Sequence, residues 1–369
     1  MDPIKILRRA WYILWSYRAL WVFGLILALA GAGSSSGNAN NSVQYQRDQG
    51  SYQTPLPQDM REAFREFTTQ IQRLFREGVP EAGLAGQDLT ALLWTIAAFL
   101  LFMLILGVVI AIARYVSETA VIRMVDEYEG TGSKMTIRQG FRIGWSRTAW
   151  RLFLINLIVN LPAILLVTLL LIAGIIIYRT VVNGNQTLAT VSIIGMIGLV
   201  FLAIFVGVIL TILLHLLRQF FWRVCALEDA GVTESLRRGF AMVRENWKNV
   251  GLMWLVMIGL GIAWAIVSII AAIITLPLVI ITGIIAAAVV AIPALLLVGL
   301  FSLFLSGPLP WVAGILFVLP LFFVIAFSPW MLLGSWQTIY SSSVWTLTYR
   351  EIKALPALPV EPKLEPAGD

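Results

Sequence analysis

The stretch between Lys248 and Arg350 contains no Lys, Arg, Asp or Glu. A water-soluble domain cannot be built from such a stretch, because about a quarter of the residues in soluble globular proteins are charged. A transmembrane helix, in contrast, needs roughly 20 apolar residues to cross a hydrocarbon core about 30 Å thick. The stretch is therefore long enough for at least two membrane crossings.

The composition of the whole chain leads to the same conclusion. Of its 369 residues, 59% are hydrophobic and 12% are charged. Within lipid, each backbone N–H and C=O group must be paired inside the protein, which allows only helices or closed β-barrels. The apolar runs are long and continuous rather than alternating, and this favours helices. We predict an all-α, polytopic membrane protein that forms a helical bundle.

Four further apolar runs lie before the uncharged stretch. They occupy residues 19–33, 89–113, 152–177 and 191–217, and a Trp-rich helix at 4–18 precedes the first of them. Together with the crossings after Lys248, they predict about six transmembrane helices.

A short basic and aromatic motif precedes three of the apolar runs. Its copies are LRRAW at 7–11, IRQGF at 137–141 and LRRGF at 236–240. Arginines beside aromatic residues are typical of a helix that lies at the membrane interface. We therefore predict three units, each an interfacial helix followed by a membrane hairpin, and we expect the first copy to be retained rather than cleaved as a signal peptide. The predicted interfacial anchors are Arg8, Arg9, Trp11, Arg138, Phe141, Arg237, Arg238, Phe240 and Trp247.

The distribution of Lys and Arg predicts the orientation. Basic residues are concentrated before residue 19 and in the segments 114–151 and 218–248, whereas only Arg179 lies between the third and fourth apolar runs. Cytoplasmic loops of membrane proteins are enriched in Lys and Arg. We therefore expect a multi-pass protein of the cell inner (plasma) membrane with both termini in the cytoplasm. The net charge of +6 then reflects these loops, and we expect no nucleic-acid partner.

Segment 34–88 is predicted to be an extracytoplasmic loop. Within it, residues 59–77 have apolar side chains at helical spacing, which predicts an amphipathic helix. Such a helix either rests on the membrane surface or binds a partner protein. The residues that would bind a partner are Phe64, Phe67 and Ile71.

Two further segments complete the domain organisation. Segment 275–310 is apolar but contains four prolines, and we expect them to break it into a re-entrant segment or a tightly packed hairpin, with seven or eight crossings in total as the alternative. Residues 355–369 are predicted to form a disordered cytoplasmic tail. Residues 1–354 then form one polytopic membrane domain.

The residues that would support catalysis are scarce. The chain has one histidine, His215, and one cysteine, Cys225, which exclude an internal disulfide and a cysteine-based metal cluster. No nucleophile–base pair or phosphate-binding loop is present. We therefore expect no enzyme activity, catalytic residue, cofactor or metal. Asp126 and Glu228 lie shortly before glycines and are expected to be solvated helix ends.

Asn156 and Asn160 are four residues apart on one face of the third apolar run. Hydrogen bonding between helices is one interpretation of this pair. The other is a polar groove that opens beside Pro162 and admits a ligand.

Three short segments resemble the membrane domain of bacterial glycerophosphoryl diester phosphodiesterases and the related YciC-like integral membrane proteins. They are ILRRAW at 6–11 with Trp15 and Trp21, the region from ALED at 226–229 through 236–240 to NWK at 246–248, and the final Tyr349-Arg350. In those phosphodiesterases, catalysis belongs to a separate soluble barrel, and no segment here has the length and polarity for one. The resemblance implies a membrane module without catalytic residues.

The sequence favours a non-enzymatic scaffold or accessory subunit of a membrane assembly, in contact with the lipid bilayer and a membrane protein partner. The alternative is a carrier or channel for a neutral or lipid-like solute, with a lipid as its ligand.

Overall fold

The computed structural model describes residues 1–31, 86–182, 186–305 and 309–355. The regular elements in these ranges are helices, and the all-α prediction is confirmed. They are α1 (Pro3–Ser16), α2 (Ala19–Gly31), α3 (Gly86–Thr131), α4 (Ile137–Gly144), α5 (Arg147–Val182), α6 (Gln186–Glu228), α7 (Val232–Glu245), α8 (Trp247–Phe301), α9 (Leu309–Ala326) and α10 (Ser328–Ala354).

Among the described residues, five helical segments are long and apolar enough to cross a membrane, and they indicate a membrane location. They are Leu93–Thr131, Arg147–Ile176, Gly198–Glu228, Trp247–Phe301 and Leu309–Ala326. The helices α1 and α2 meet this criterion only when they are taken together, and the chain bends by 100° between them.

The helix α1 is amphipathic. Asp2 caps its first turn by accepting hydrogen bonds from the backbone N–H groups of Ile4 and Lys5. Tyr17 lies buried at the bend, where its hydroxyl accepts from the N–H of Met135 at 2.7 Å and donates to the C=O of Met135 at 3.0 Å. One face of α1 is buried while the other exposes large side chains, among them Ile4, Trp11, Tyr12 and Trp15.

The three motif copies share a small, buried residue at their fourth position. It is Ala10 in α1, Gly140 in α4 and Gly239 in α7. A Cβ atom on Gly140 would lie 2.6 Å from Sδ of Met124, and one on Gly239 would lie 2.6 Å from the ring of Phe221. The repeat therefore encodes a packing position, at which a short helix lies directly against its neighbour.

The chain forms two compact units. The first contains Met1–Asn38, Ile110–Ile270 and Met331–Asp369. Its core is built from α1, α2, α4, α7, the second half of α3, the first halves of α5 and α8, the end of α6 and most of α10. Fully buried side chains there include Ile13, Leu14, Leu20, Phe23, Ile122, Met124, Phe220 and Tyr349.

The second unit contains Ala39–Val109 and Ala271–Trp330. Phe317 of α9 is the centre of its aromatic packing. The ring centroid of Phe317 lies 5.4 Å from that of Phe99, 5.2 Å from Phe102 and 5.3 Å from Phe301.

Two of the four prolines in segment 275–310 do not interrupt the helix. Pro277 and Pro293 lie inside α8, and the helix continues to Phe301 before a turn at 302–305. Proline is tolerated within apolar helices when other groups satisfy the freed backbone. The reversal brings Gly314 of α9 against Val298, since a Cβ atom on Gly314 would lie 3.1 Å from the Val298 backbone nitrogen.

Two of the predicted segments lie outside the described residues. They are the helix at 59–77, with Phe64, Phe67 and Ile71, and the tail after residue 355. The helix α3 already begins at Gly86, within the segment that was assigned to the loop 34–88.

Candidate functional site

Two arginines of α6 are buried in the first unit. Arg218 is 7% exposed and Arg223 is 0% exposed. We expected both to belong to a basic segment outside the apolar part of the span. Because α6 continues as a helix to Glu228, it carries them into the core instead. The apolar residues around them in the run LLRQFFWRVCAL are the signal that would have predicted their burial.

The direct partners of Arg218 are uncharged groups. Its Nη1 donates to Oδ1 of Asn156 at 3.0 Å, and its Nη2 lies 2.8 Å from Nδ1 of His215. A guanidinium can only donate, so Nδ1 of His215 accepts and the neutral imidazole carries its proton on Nε2. The guanidinium also lies over the ring of Trp222, 5.0 Å from its centroid. Asn156 in turn donates from Nδ2 to the hydroxyl of Tyr115 at 3.0 Å.

Arg223 lies against the helix α10. Its Nη1 donates to the backbone carbonyl of Gln219 at 2.6 Å and to Oε1 of the same residue at 3.0 Å. Its Nη2 donates to the carbonyl of Ser342 at 3.0 Å. The hydroxyl of Ser342 donates to Oε1 of Glu118 at 3.1 Å. A single serine therefore connects this buried cation to a buried carboxylate.

The arginine centre consists of Arg218, Arg223, Glu118 and their direct partners. It contains more positive than negative charge. In the part of the chain that the structure describes, no carboxylate oxygen lies within 4.0 Å of either guanidinium. Glu118 interacts with both arginines at longer range, while Arg114 repels Arg218. Each arginine also has an Nε that is buried without a hydrogen-bond partner. Uncompensated buried charge is costly, so burial of these two arginines opposes folding unless other groups stabilise them.

A second polar cluster joins the ends of α6, α7 and α10 at Glu228. Its Oε1 accepts from the hydroxyl of Tyr349 at 2.6 Å and from Nζ of Lys353 at 2.7 Å. Its Oε2 accepts from Nη1 of Arg238 at 3.0 Å. Burial and the neighbouring carboxylate raise the pKa of Tyr349. Glu228 is a helix end as expected, but its carboxylate is not simply solvated, because three donors from two other helices bind it.

The turn after α6 is held by basic residues of α3 and α5. Asp229 adopts a positive φ of 50° there. Arg123 donates from Nη2 to Oδ1 of Asp229 at 2.5 Å and from Nε to the carbonyl of Ala226 at 2.8 Å. Thr148 donates to the same Oδ1 at 3.1 Å, and Arg151 donates to the Asp229 carbonyl at 2.7 Å. These bonds satisfy the C-terminal groups of α6.

Two further ion pairs join α3 to the terminal helices. Arg350 donates from Nη1 to Oδ1 of Asp126 at 2.5 Å, and Arg9 donates from Nε to Oε1 of Glu129 at 2.6 Å. Asp126, like Glu228, is therefore bound by the protein itself.

The structure separates the two asparagines of the predicted groove. Asn156 belongs to the arginine centre. Asn160 is exposed, and its Nδ2 donates to the backbone carbonyl of Asn156 at 2.8 Å, one turn earlier on the same helix.

The predicted anchors have three different environments. Phe141 packs inward, with its ring centroid 4.9 Å from that of Phe23. Arg9 and Arg238 are exposed but ion-paired, to Glu129 and to Glu228 and Glu234 respectively. The exposed ones without such a pair are Arg8, Trp11, Arg138, Arg237, Phe240 and Trp247.

Among the described residues, no group of three or more His, Cys, Asp or Glu side chains is arranged to hold a metal ion.

The chain matches the model of a known protein family. No curated protein and no solved structure matches the chain. A model of a family of unknown function, DUF7544, matches residues 9–349 and thus includes both the arginine centre and the Glu228 cluster. The chain therefore belongs to the DUF7544 family of unknown function.

Proposed function

We propose that this chain is a non-enzymatic scaffold or accessory subunit of a membrane assembly. The exposure of its spans supports this proposal most directly. In the most apolar windows of Leu93–Thr131 and Gly198–Glu228, 0% of the residues are buried, and in that of Trp247–Phe301 the share is 11%. A carrier buries the facing sides of the spans that enclose its cargo. Spans with so little burial suit contact with lipid and with other membrane proteins.

The proposed topology has about six crossings in three units. In this arrangement, α1, α4 and α7 are interfacial helices, and α2, α5 and α8 each begin a membrane hairpin. The 100° bend between α1 and α2 supports it, because a helix in the membrane plane lies nearly perpendicular to a crossing. The exposed arginines of α4 and α7 support it as well. Both termini are then cytoplasmic, in the inner (plasma) membrane.

We further propose a relationship to the membrane domain of glycerophosphoryl diester phosphodiesterases and to the YciC-like proteins. Two of the three segments that carry the resemblance are far apart in sequence, yet they meet at one cluster. Glu228 comes from ALED, Arg238 from the third motif copy and Tyr349 from the final pair, and both Arg238 and Tyr349 donate to Glu228. A shared cluster gives a physical reason for these short segments to occur together.

The partner-binding element of this proposal is the amphipathic helix at 59–77, through Phe64, Phe67 and Ile71. Native mass spectrometry of the tagged protein, extracted gently from its own membrane, tests it. We expect a stoichiometric protein partner that is lost in the double variant Phe64→Ser/Phe67→Ser. The matched control is Thr69→Ser/Gln72→Ser, which changes two polar residues of the same segment and should retain the partner.

A carrier for a neutral or lipid-like solute is the second candidate, and the buried polar centre at Asn156 favours it. A reproducible bound small molecule with no protein partner would reject the scaffold in favour of the carrier. The variant Asn160→Leu then provides a second test between the scaffold and the carrier. Asn160 is exposed and bonds only within its own helix, so a scaffold tolerates the change, whereas a carrier that uses this groove loses transport at normal expression.

A further inference from the structure

Arg218 has a hydrogen-bond donor that nothing in the described part of the chain accepts. Its Nε is buried without a partner, and its other donors bind two neutral groups, Asn156 and His215. A buried guanidinium is stabilised when an anion binds it directly. Within the described residues, this anion is not supplied by the protein.

Two neighbours on α3 make the surroundings of Arg218 suitable for an anion. The guanidinium of Arg114 lies 5.8 Å from the ring centroid of Tyr115, whose hydroxyl binds Asn156, a partner of Arg218. The positive charge of Arg114 also opposes that of Arg218. The hydroxyl of Tyr115 accepts from Asn156, so its own proton can be donated to a further group. Two guanidiniums and one hydroxyl match the several acceptor oxygens of a phosphate group.

Exposed apolar side chains flank this cluster on all three helices that form it. They are Ile112 on α3, Leu157 on α5 and Leu213 on α6. These residues lie within segments that are apolar enough to cross a membrane. A charged group at this position therefore lies beside the acyl chains of the surrounding lipid.

We propose that Arg114, Tyr115 and Arg218 bind the phosphodiester group of an anionic membrane lipid, whose acyl chains lie against the exposed apolar residues beside them. Free phosphate shares the headgroup chemistry but gains nothing from the apolar flank, which is why the lipid is the favoured ligand. The site goes beyond the scaffold function and does not depend on it.

Native mass spectrometry of the purified full-length chain in detergent tests the site. The chain is titrated with dioleoylphosphatidylglycerol, with dioleoylglycerol, which has the same acyl chains and no phosphate, and with inorganic phosphate. Arg218→Lys keeps the charge but loses Nε and the planar fork, and Arg114→Gln removes the second cation. The control is Arg147→Gln, an exposed arginine on α5.

We expect the phosphatidylglycerol complex to form and the dioleoylglycerol complex to be at least about ten-fold weaker. Each of the two variants should weaken phosphatidylglycerol binding by a similar factor, while the control binds as the wild type does. Because Arg114 is half-buried, its variant tests the site even where a change at Arg218 impairs folding.

Three results would overturn the proposal. The first is equal binding of the two lipids, which would show that the acyl chains alone are recognised. The second is an equal loss in Arg147→Gln, which would indicate a diffuse charge effect. The third is full displacement of the lipid by inorganic phosphate, which would assign the site to the free anion.

Discussion

The hydroxyl of Tyr349 on α10 donates a 2.6 Å hydrogen bond to Glu228, the last residue of α6. A hydrogen bond to a charged, partly buried group contributes about 1.5–3 kcal/mol to stability. Tyr349→Phe should therefore lower the free energy of unfolding by about 1–2 kcal/mol, since Lys353 and Arg238 still bind the carboxylate. Denaturant titration in a mild detergent measures this change.

Tyr340→Phe is the matched control on the same helix. The Tyr340 hydroxyl donates to the Leu7 carbonyl at 3.4 Å, a long and weak bond. Loss of this bond should lower the free energy of unfolding clearly less than loss of the Tyr349 hydroxyl does. Equal costs in the two variants would mean that the bond to Glu228 adds no particular stability.

The same tyrosine predicts a pH dependence. Burial and Glu228 raise the pKa of Tyr349 above its ordinary value of 10.0. The folded protein therefore retains a proton that the unfolded chain loses above pH 10, so the stability from this group is complete below that pH and declines as the pH rises further. Unfolding free energies between pH 9 and 11 should decline less steeply in Tyr349→Phe than in the wild type. Equal declines of the unfolding free energy in the variant and the wild type would contradict the raised pKa of Tyr349.

Gly144 ends α4 against α3, and a side chain cannot be placed there. A Cβ atom would collide with the backbone carbonyl oxygen of Val116, which cannot move as a side chain can. Gly144→Ala should destabilise the protein by about 3 kcal/mol or prevent accumulation of folded protein. Gly251→Ala in α8 is the control, because a Cβ atom there meets open space and alanine favours helix. Thermal unfolding of both variants compares them, and similar stability of the two would show that α4 packs differently.

The apolar spans could be predicted from the sequence, because hydropathy is calculated along the chain and does not depend on which residues meet in space. The apolar residues around Arg218 and Arg223 indicate that these arginines are buried, but their partners could not be predicted, because Asn156 and Ser342 come from other helices. The partners of Glu228 are Arg238, Lys353 and Tyr349. Two of them lie on α10, which is far from α6 in sequence and contacts it only in the folded protein. The motif repeat was found, but its buried fourth residue is a packing requirement that becomes visible only in the structure.

Pro277 and Pro293 show a different reason why a local sequence rule can fail. Proline breaks helices in water because it removes one hydrogen bond and clashes with the preceding turn. In an apolar setting the alternative to helix is far more costly, so Pro277 and Pro293 remain within α8. The rule that proline breaks helices therefore holds in water and does not carry over to an apolar helix in lipid.

Glu118 is the carboxylate that balances the buried arginines most directly. Removing its charge in Glu118→Gln leaves Arg223 and Arg218 without it and should cost roughly 3 kcal/mol of unfolding free energy. The double variant Glu118→Gln/Arg223→Gln should recover part of that loss, because one buried cation leaves with the carboxylate. Glu245→Gln, at an exposed carboxylate on α7, should have no measurable effect. Additive losses in the double variant would show that Glu118 and Arg223 are not coupled.

The proposed orientation can be tested through the single native cysteine. Cys225 is fully buried, so a membrane-impermeant maleimide should not label the wild type in intact cells. Gln46→Cys adds a thiol in the loop that we place outside the cytoplasm, and Arg237→Cys adds one on the exposed face of α7. We expect Gln46→Cys to be labelled in intact cells and Arg237→Cys only after permeabilisation, because the Arg-rich helices lie on the cytoplasmic side. Labelling of Arg237→Cys but not Gln46→Cys in intact cells would reverse the topology and place the Glu228 cluster outside the cytoplasm.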